Sequence, residues 1–509
     1  ELEDVGRWCL KDFTSTLVIE GDQELQYISQ ICHESRSITQ LRVRAVHWKM
    51  KQLNILGSML CQFPPLDVLE LKGVEKYLGP IVIEQYRIGV AGLEVLTKHA
   101  SKLCYLKELS LRESLNGDRG ATALLPLLFQ MKYLRVLNLR LCEIGADGAK
   151  SLAPALQMIT QMKELNLGNN YIGARGAAAL APAVGKMTQL QILGLHENEI
   201  GDEGAVALAP ALGKMTQLQT LDLSWGEIFD SSIGAWGAAA LAPALGNMTQ
   251  LQELNLSYNR IGEYGASTLA PALGKMTQLQ TLNLCWNEIG AHGAAALAPA
   301  LGKLTQLQRL DLWGNRIGDY GASTLAPALG KMTQLQTLSL GGNNIGAQGA
   351  TALAPALGKM TQLQELGLWG NNIGAEEAAA LAPALGRMTQ LQELGLLHNQ
   401  IGDEGAAALA PALGNMTQLQ ELNLKLNKIG DDGAAALAPA LGNMTQLQTL
   451  DLEWNKIGDD GVLILSQCLT SMPHLRILYL KGNSIGADGI RSIAAVLPMC
   501  SGLQEVNLC

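Results

Sequence analysis

Residues 251–278 read LQELNLSYNRIGEYGASTLAPALGKMTQ, and residues 279–306 read LQTLNLCWNEIGAHGAAALAPALGKLTQ. The second stretch is the first with a few letters exchanged, and what the two share decides the fold. The same pattern begins at positions 106, 134, 162, 190 and 218, then at 251, 279, 307, 335, 363, 391, 419, 447, 475 and 503. The step is 28 residues except between 218 and 251, where it is 33 because GEIFDSSIGAWG (226–237) replaces the seven-residue turn written NRIGEYG in the next unit. A short period carried this far predicts one elongated stack of identical supersecondary units, since no single unit can bury its own apolar face.

Each position of the unit has a physical task. Leu254 and Leu256 alternate inward on a short strand, so Glu253, Asn255 and Ser257 point to the other face. Asn259 turns the chain, its amide suited to bonding backbone groups of its own and adjacent units; Ser114 and Cys142 stand in that place in two units. Ile261 re-enters the core, and Gly262 and Gly265 permit a tight turn. Ala266, Leu269 and Leu273 have the spacing of one helical face, which Gly274 ends. Twelve units carry a proline inside this helix, Pro271 here. A helix-interior proline removes a hydrogen bond, which predicts short, kinked or partly 3₁₀ helices.

The framework letters hardly change while two columns after the strand leucines vary freely. One reads Arg112, Arg140, Gly168, His196, Ser224, Ser257, Cys285, Trp313, Gly341, Trp369, Leu397, Lys425, Glu453 and Lys481. The other reads Glu113, Leu141, Asn169, Glu197, Trp225, Tyr258, Trp286, Gly314, Gly342, Gly370, His398, Leu426, Trp454 and Gly482. Five of the eight tryptophans fall in these columns: Trp225, Trp286, Trp313, Trp369 and Trp454. With Tyr258 they are the aromatic candidates for a binding surface, because exposed Trp and Tyr are the usual material of interface hot spots. Acidic letters gather on the same face, with Asp222, Glu253, Asp311 and Glu453 as candidate partner-binding residues beside Glu365, Glu393, Glu421 and Asp451. A basic patch on a protein partner suits such a surface.

Composition narrows the function classes. The charge of 37 Lys+Arg against 46 Asp+Glu, net −9, disfavours nucleic acid and anionic lipid. Apolar stretches such as GAAALAPALG are too short to cross a bilayer, so no membrane span is expected. Nine widely spaced cysteines, an odd number, favour a reducing compartment. Four Asn-x-Ser/Thr sequons, at Asn247, Asn255, Asn415 and Asn443, speak the other way, but three are the repeated NMT and weigh little.

Catalytic motifs are missing or accidental. Gly482-Asn-Ser-Ile-Gly486 matches the nucleophile-elbow spelling but occupies the turn written GNRIG in other units. The repeated GKMT lacks the spacing of a phosphate-binding loop, and neither HExxH nor CxxC occurs. No catalytic, metal or cofactor site is therefore expected, and Cys142 and Cys285 read as small ladder residues. The start at Glu1 and the stop at Cys509, directly after the strand-like LQEVNLC, suggest a piece of a longer polypeptide.

The template LxxLxLxxNxIGxxGAxxLAPALGxMTQ resembles the leucine-rich repeat, in its long ribonuclease-inhibitor-like form, and the letters NxIGxxGAxxLA resemble the repeat domain of NOD-like receptors. The resemblance implies an α/β right-handed solenoid horseshoe, with parallel strands on the concave face and helices on the convex face. Residues 106–509 would form fourteen full units and a terminal strand. Residues 1–105 would be a capping and linking segment, with degenerate strands at LRVRAVHW from Leu41 and LDVLELKG from Leu66. It also implies a non-enzymatic, cytoplasmic innate immune sensor whose repeats bind a protein ligand or partner domain and restrain an upstream ATPase module; self-association through the same surface stays open. Ribonuclease inhibitor alternates two unit lengths and is richer in cysteine. Ran GTPase-activating proteins, a regulator class built on the same repeat, are less uniform; both remain as alternatives.

Overall fold

The computed structural model describes residues 16–20, 40–45, 56, 60, 66, 68–73, 88–226, 231–500 and 502–508. Most of 1–105 and the centre of the insertion, 227–230, lie outside the described residues. The chain divides into two compact units, residues 1–253 and 254–509, each an α/β stack of parallel strands and helices.

In residues 1–253 the strands Thr16–Glu20, Gln40–Ala45, Val68–Gly73, Glu108–Ser110, Val136–Asn138, Glu164–Asn166, Ile192–Gly194 and Thr220–Asp222 pair in chain order, all parallel. The degenerate stretches from Leu41 and Leu66 thus hold strands, and a further strand at 16–20 joins them that no repeat pattern marked. In residues 254–509 the strands from Thr281–Asn283 to Glu505–Asn507 pair the same way, with Leu282, Leu310, Leu338, Leu366, Leu394, Leu422, Leu450 and Leu478 in one row. A parallel ladder between consecutive units requires a crossover in each, and the helix supplies it.

The core of each stack lies between sheet and helices. In the unit from 279, Leu279, Leu282, Leu284, Ile289, Ala294, Leu297, Leu301 and Leu304 are all buried. The asparagines form a buried ladder of their own. Asn315 Oδ1 accepts the N–H of Asn287 at 3.0 Å and of Ile289 at 3.2 Å in the preceding unit. Its Nδ2 donates to the carbonyls of Leu284, Leu312 and Trp313. Cys142 fills the same place with Sγ on the Leu111 carbonyl at 3.1 Å, and Ser114 with Oγ on the Leu71 carbonyl at 2.8 Å.

Two expectations need correction. The helices are α-helical through their prolines rather than 3₁₀: Gly262–Leu273, for example, runs two residues past Pro271. Pro271 and Ser267, whose carbonyl it leaves without a helix donor, both lie on the exposed side, where that group is open to solvent. The second glycine is no turn residue either. Gly293 sits inside a helix, where an added Cβ would come within 2.9 Å of the Ile289 side chain and 3.1 Å of the Ala266 Cβ on the preceding helix. It is glycine because two helices approach closely there.

The first glycine takes two conformations, and the preceding unit decides which. Where that unit has Asp directly after its Ile-Gly or Asn-Gly pair (Asp118, Asp202, Asp319, Asp403, Asp431, Asp459), the carboxylate accepts the N–H of Gly145, Gly234, Gly346, Gly430, Gly458 or Gly486 at 2.6–2.8 Å. Those glycines are extended, with φ between −104° and −89°. Gly374 is extended too, its N–H held instead by Glu377 of its own helix at 2.6 Å. Where the preceding unit has Ala or Glu and no carboxylate holds the N–H, the glycine turns left-handed, as at Gly173, Gly262, Gly290, Gly318 and Gly402 (φ 59–65°), and gives its N–H to the asparagine carbonyl of the following unit. Among the described residues, no helix is long and apolar enough to cross a membrane.

Candidate functional site

The sheet face turned away from the helices carries the two variable columns. Its floor is fixed by an Asx turn at the end of eight strands. The Oδ1 atoms of Asn138, Asn166, Asp222, Asn255, Asn283, Asp311, Asn423 and Asp451 each accept the N–H two residues on, at 2.9–3.1 Å. Asp222 and Asp311 are therefore turn formers first and acidic surface second, which the sequence reading missed. Burial holds the Asp311 and Asp451 carboxyls above their ordinary range, opposed mainly by those backbone bonds.

The second variable column is left-handed at every member but Trp225. Tyr258, Trp286, Leu426 and Trp454 have φ of 57°, 52°, 58° and 53°, and Gly314, Gly342, Gly370 and Gly482 at the same place have 69°, 61°, 63° and 74°. Glycine adopts this conformation freely, while an L side chain costs about 1–2 kcal/mol. The glycines here answer the backbone, while the rings, like Glu113, Leu141, Asn169, Glu197 and His398 in the same column, stand against it.

In residues 254–509 four rings join into one chain. Tyr258 stacks on Trp286 (centroids 6.2 Å, planes at 11°), Trp286 meets Trp313 edge-on at 5.6 Å, and Trp313 meets Trp369 edge-on at 6.0 Å. Trp313 reaches across a whole unit to Trp369 because that unit has Gly341 and Gly342 where side chains would stand. A Cβ on Gly341 would collide with the Trp369 indole, and one on Gly342 would sit 3.1 Å from Trp313 Nε1. A Cβ on Gly367 would likewise collide with Trp369, one on Gly314 would come within 3.0 Å of Trp286, and one on Gly482 within 2.7 Å of Trp454. The rings therefore recline on glycine seats in neighbouring units. Trp225, Tyr258, Trp313 and Trp369 are half-buried, while Trp286 and Trp454 remain 38% and 52% exposed. The signal was present in the sequence as glycines facing tryptophans one unit away.

The acidic candidates fare unevenly. Glu253 is exposed, Asp222 and Asp311 are half-buried, and Glu453 is only 8% exposed, its Oε2 accepting Lys425 Nζ at 2.6 Å. Glu453 is thus an internal ion-pair partner more than a presented carboxylate. The strongest acidic feature is a row: Glu365, Glu393 and Glu421 stand opposite one another on consecutive strands. Like charges directly opposed are unfavourable. Partial burial raises the Glu393 pKa first, and Glu421 and Glu365 raise it further. Arg309 Nη2 lies 3.8 Å from Glu365 and, as the smallest of the influences on Glu393, lowers its pKa in part.

In residues 1–253 the face is polar. His196 lies over Gly168 and its Nδ1 is 3.3 Å from Asp222 Oδ2. Burial lowers the His196 pKa, against the pull of Asp222. Arg140 Nε donates to Asn169 Oδ1 at 2.7 Å, and Asn169 donates to Glu197.

Nucleophile chemistry finds no support at the cysteines: both Cys142 and Cys285 are buried, and burial above all pushes the Cys285 thiol up to about 12. Ser484 sits in an exposed turn, its N–H on the Ile457 carbonyl at 2.8 Å. Among the described residues, no group of three His, Cys, Asp or Glu side chains could hold a metal ion.

A profile for leucine-rich repeat regions matches residues 110–324 and 316–498. No curated protein sequence matches the chain significantly. Among solved structures, TLR13 in its complex with ssRNA13 superposes with a TM-score of 0.51 at 17% identity, over 97% of this chain and 65% of that one. An internalin of Listeria monocytogenes gives a TM-score of 0.48 at 20% identity, over 82% of this chain and 94% of its own. A leucine-rich repeat protein of Leptospira interrogans gives 0.46 at 19%, over 75% and 92%. At these identities the likeness concerns the fold alone.

Proposed function

Because the chain belongs to the leucine-rich repeat family, we propose that it is a non-catalytic recognition module that binds a protein partner on the strand face, with a uniform scaffold carrying a varied surface. One observation carries the reading: Tyr258, Trp286 and Trp454 occupy a left-handed backbone position that four other units fill with glycine. Glu113, Leu141, Asn169, Glu197, His398 and Leu426 take the same left-handed place in six further units, so the scaffold sets the conformation and leaves the side chain free to vary, and Trp and Tyr presented there are the usual material of interface hot spots. The contact set comprises Trp225, Tyr258, Trp286, Trp313, Trp369 and Trp454, with Asp222, Glu253, Asp311 and Glu453 shaping the surface around them. The ring chain beside the Glu365–Glu393–Glu421 row suits a partner presenting Lys or Arg, which the ring faces and the carboxylates both attract.

Within the family, the 28-residue ribonuclease-inhibitor-like unit and the letters NxIGxxGAxxLA favour the ligand-sensing, autoinhibitory repeat domain of a cytosolic NOD-like receptor. Residues 1–105 would cap and link the array at 106–509. The test is affinity capture from cytosol with the wild-type chain beside Trp286→Ala/Trp313→Ala. A partner retained by the wild type and lost from the variant supports the strand-face site; equal recovery by both sinks it.

A further inference from the structure

Within residues 254–509 the two edges of the stack carry rows of opposite charge, the basic row from Lys275 to Arg387 and the acidic row from Glu376 to Asp460. All strands are parallel and each helix runs back against its strand, so every helix-to-strand loop lies on one edge and every strand-to-helix turn on the other. The loops 274–280, 302–308, 330–336, 358–364 and 386–392 each hold one exposed cation: Lys275, Lys303, Lys331, Lys359 and Arg387. None of these five loops contains Asp or Glu. On the other edge, Glu376, Glu404, Asp432 and Asp460 are exposed in four consecutive units. Their turns stay negative even counting Lys428 and Lys456, and the Lys428 ammonium is directed at Gln400 Oε1, 3.2 Å away. The helix dipole stabilises both choices, cations by the carbonyl ends and carboxylates by the amide ends, so the sign of each edge follows from helix direction.

We propose that the basic edge docks on the acidic edge of a second copy of this chain, a contact that goes beyond the strand-face site. Both edges are built on the same 28-residue unit, so their charges recur with the same spacing. Two copies side by side with strands parallel, offset by four units, bring the four carboxylates opposite Lys275, Lys303, Lys331 and Lys359 in register. A partner of unrelated spacing would match only one or two pairs. A single exposed ion pair contributes little, so affinity comes from the number in register, and association is weak and sensitive to salt. The contact joins one edge to a different edge, which leaves an unused edge on each end copy, so the assembly is open rather than a closed dimer.

The experiment is analytical ultracentrifugation of the full chain across protein concentration at low and high salt, with two charge-reversed variants. One is Lys303→Glu/Lys331→Glu/Lys359→Glu, the other Glu404→Lys/Asp432→Lys/Asp460→Lys; all six side chains are exposed or lie in turns, and circular dichroism checks their folding. The expected result is a wild-type mass that climbs with concentration past a dimer at low salt and falls at high salt. Each variant alone associates at least tenfold more weakly, and an equal mixture of the two regains association because both edge pairings are restored. A wild type that stays monomeric at low salt, variants that associate like the wild type, or a mixture that stays monomeric would each overturn the proposal. So would a monomeric wild type whose basic edge is instead occupied by a heparin or single-stranded RNA probe and released by the lysine variant.

Discussion

Replacing Asn315 by leucine removes a buried amide with little change of volume, and its cost can be read from the bonds it makes. The three carbonyls that Nδ2 serves keep another donor: Leu284 from Asn287 Nδ2, Leu312 from Asn343 Nδ2, and Trp313 from the Trp286 N–H. The amides of Asn287 and Ile289 have Oδ1 as their acceptor and lose it. A buried donor left unmade costs about 1–3 kcal/mol, so the substitution is expected to destabilise by about 4 kcal/mol. Asn483 supplies an internal control, since it is half-buried near the end of the stack and accepts the Ile457 N–H at 3.0 Å; Asn483→Leu is expected to cost about 1 kcal/mol. Urea unfolding gives the totals. Hydrogen exchange gives the more direct reading, because long repeat stacks unfold in pieces rather than all at once. Faster exchange is expected at the amides of 287 and 289 before any global change. If Asn315→Leu unfolds within about 0.5 kcal/mol of wild type, with those two amides as protected as before, the ladder is not what ties the units together.

Three further outcomes follow from the same geometry. Gly346→Ala should be tolerated in the wild type, where φ is −104°, but should cost about 1–2 kcal/mol more in an Asp319→Ala background, where the glycine is released to the left-handed form; equal costs in a double-mutant cycle would refute the rule. Trp286→Gly should leave thermal unfolding nearly unchanged, since relief of the left-handed strain offsets the lost ring contacts; a drop of more than about 2 kcal/mol would make the ring structural. Glu393→Gln should raise the melting temperature near pH 7. Its folded pKa lies above the ordinary carboxylate value, so the ionised group destabilises the fold above that folded pKa and the penalty disappears as pH falls below the unfolded value. A difference that persists at low pH would contradict this.

Much of the scaffold is legible in the letters because the period, the inward leucines and the asparagine are repeated without ornament. The strand at Thr16–Glu20 escaped because its sequence has no repeat partner, although it pairs with Gln40–Ala45 like the others. The prolines misled because a rule for helix interiors was applied to the solvent side of a last turn, where Ser267 can lose its partner to water. The variable columns that make up the candidate surface can be read from the letters, but not how their side chains are seated. Trp369 was read as projecting outward, yet Gly341 and Gly367 leave room for it to lie flat. Asp311 was read as a contact residue, yet its Oδ1 holds the Trp313 amide at 3.0 Å. Both errors arise because a column of letters records which residue faces outward and leaves out what the neighbouring unit has cleared away. The conformational choice at Gly346 is hidden for the same reason, since its determinant, Asp319, lies one unit earlier.

The most direct test of a strand-face recognition site is hydrogen exchange on the chain with and without the protein recovered by capture. Slowed exchange on binding at residues 285–286, 313–314 and 369–370, with the helices unchanged, is the expected result. Protection confined to the helices or to either edge, with the aromatic columns exchanging as in the unbound chain, would contradict it.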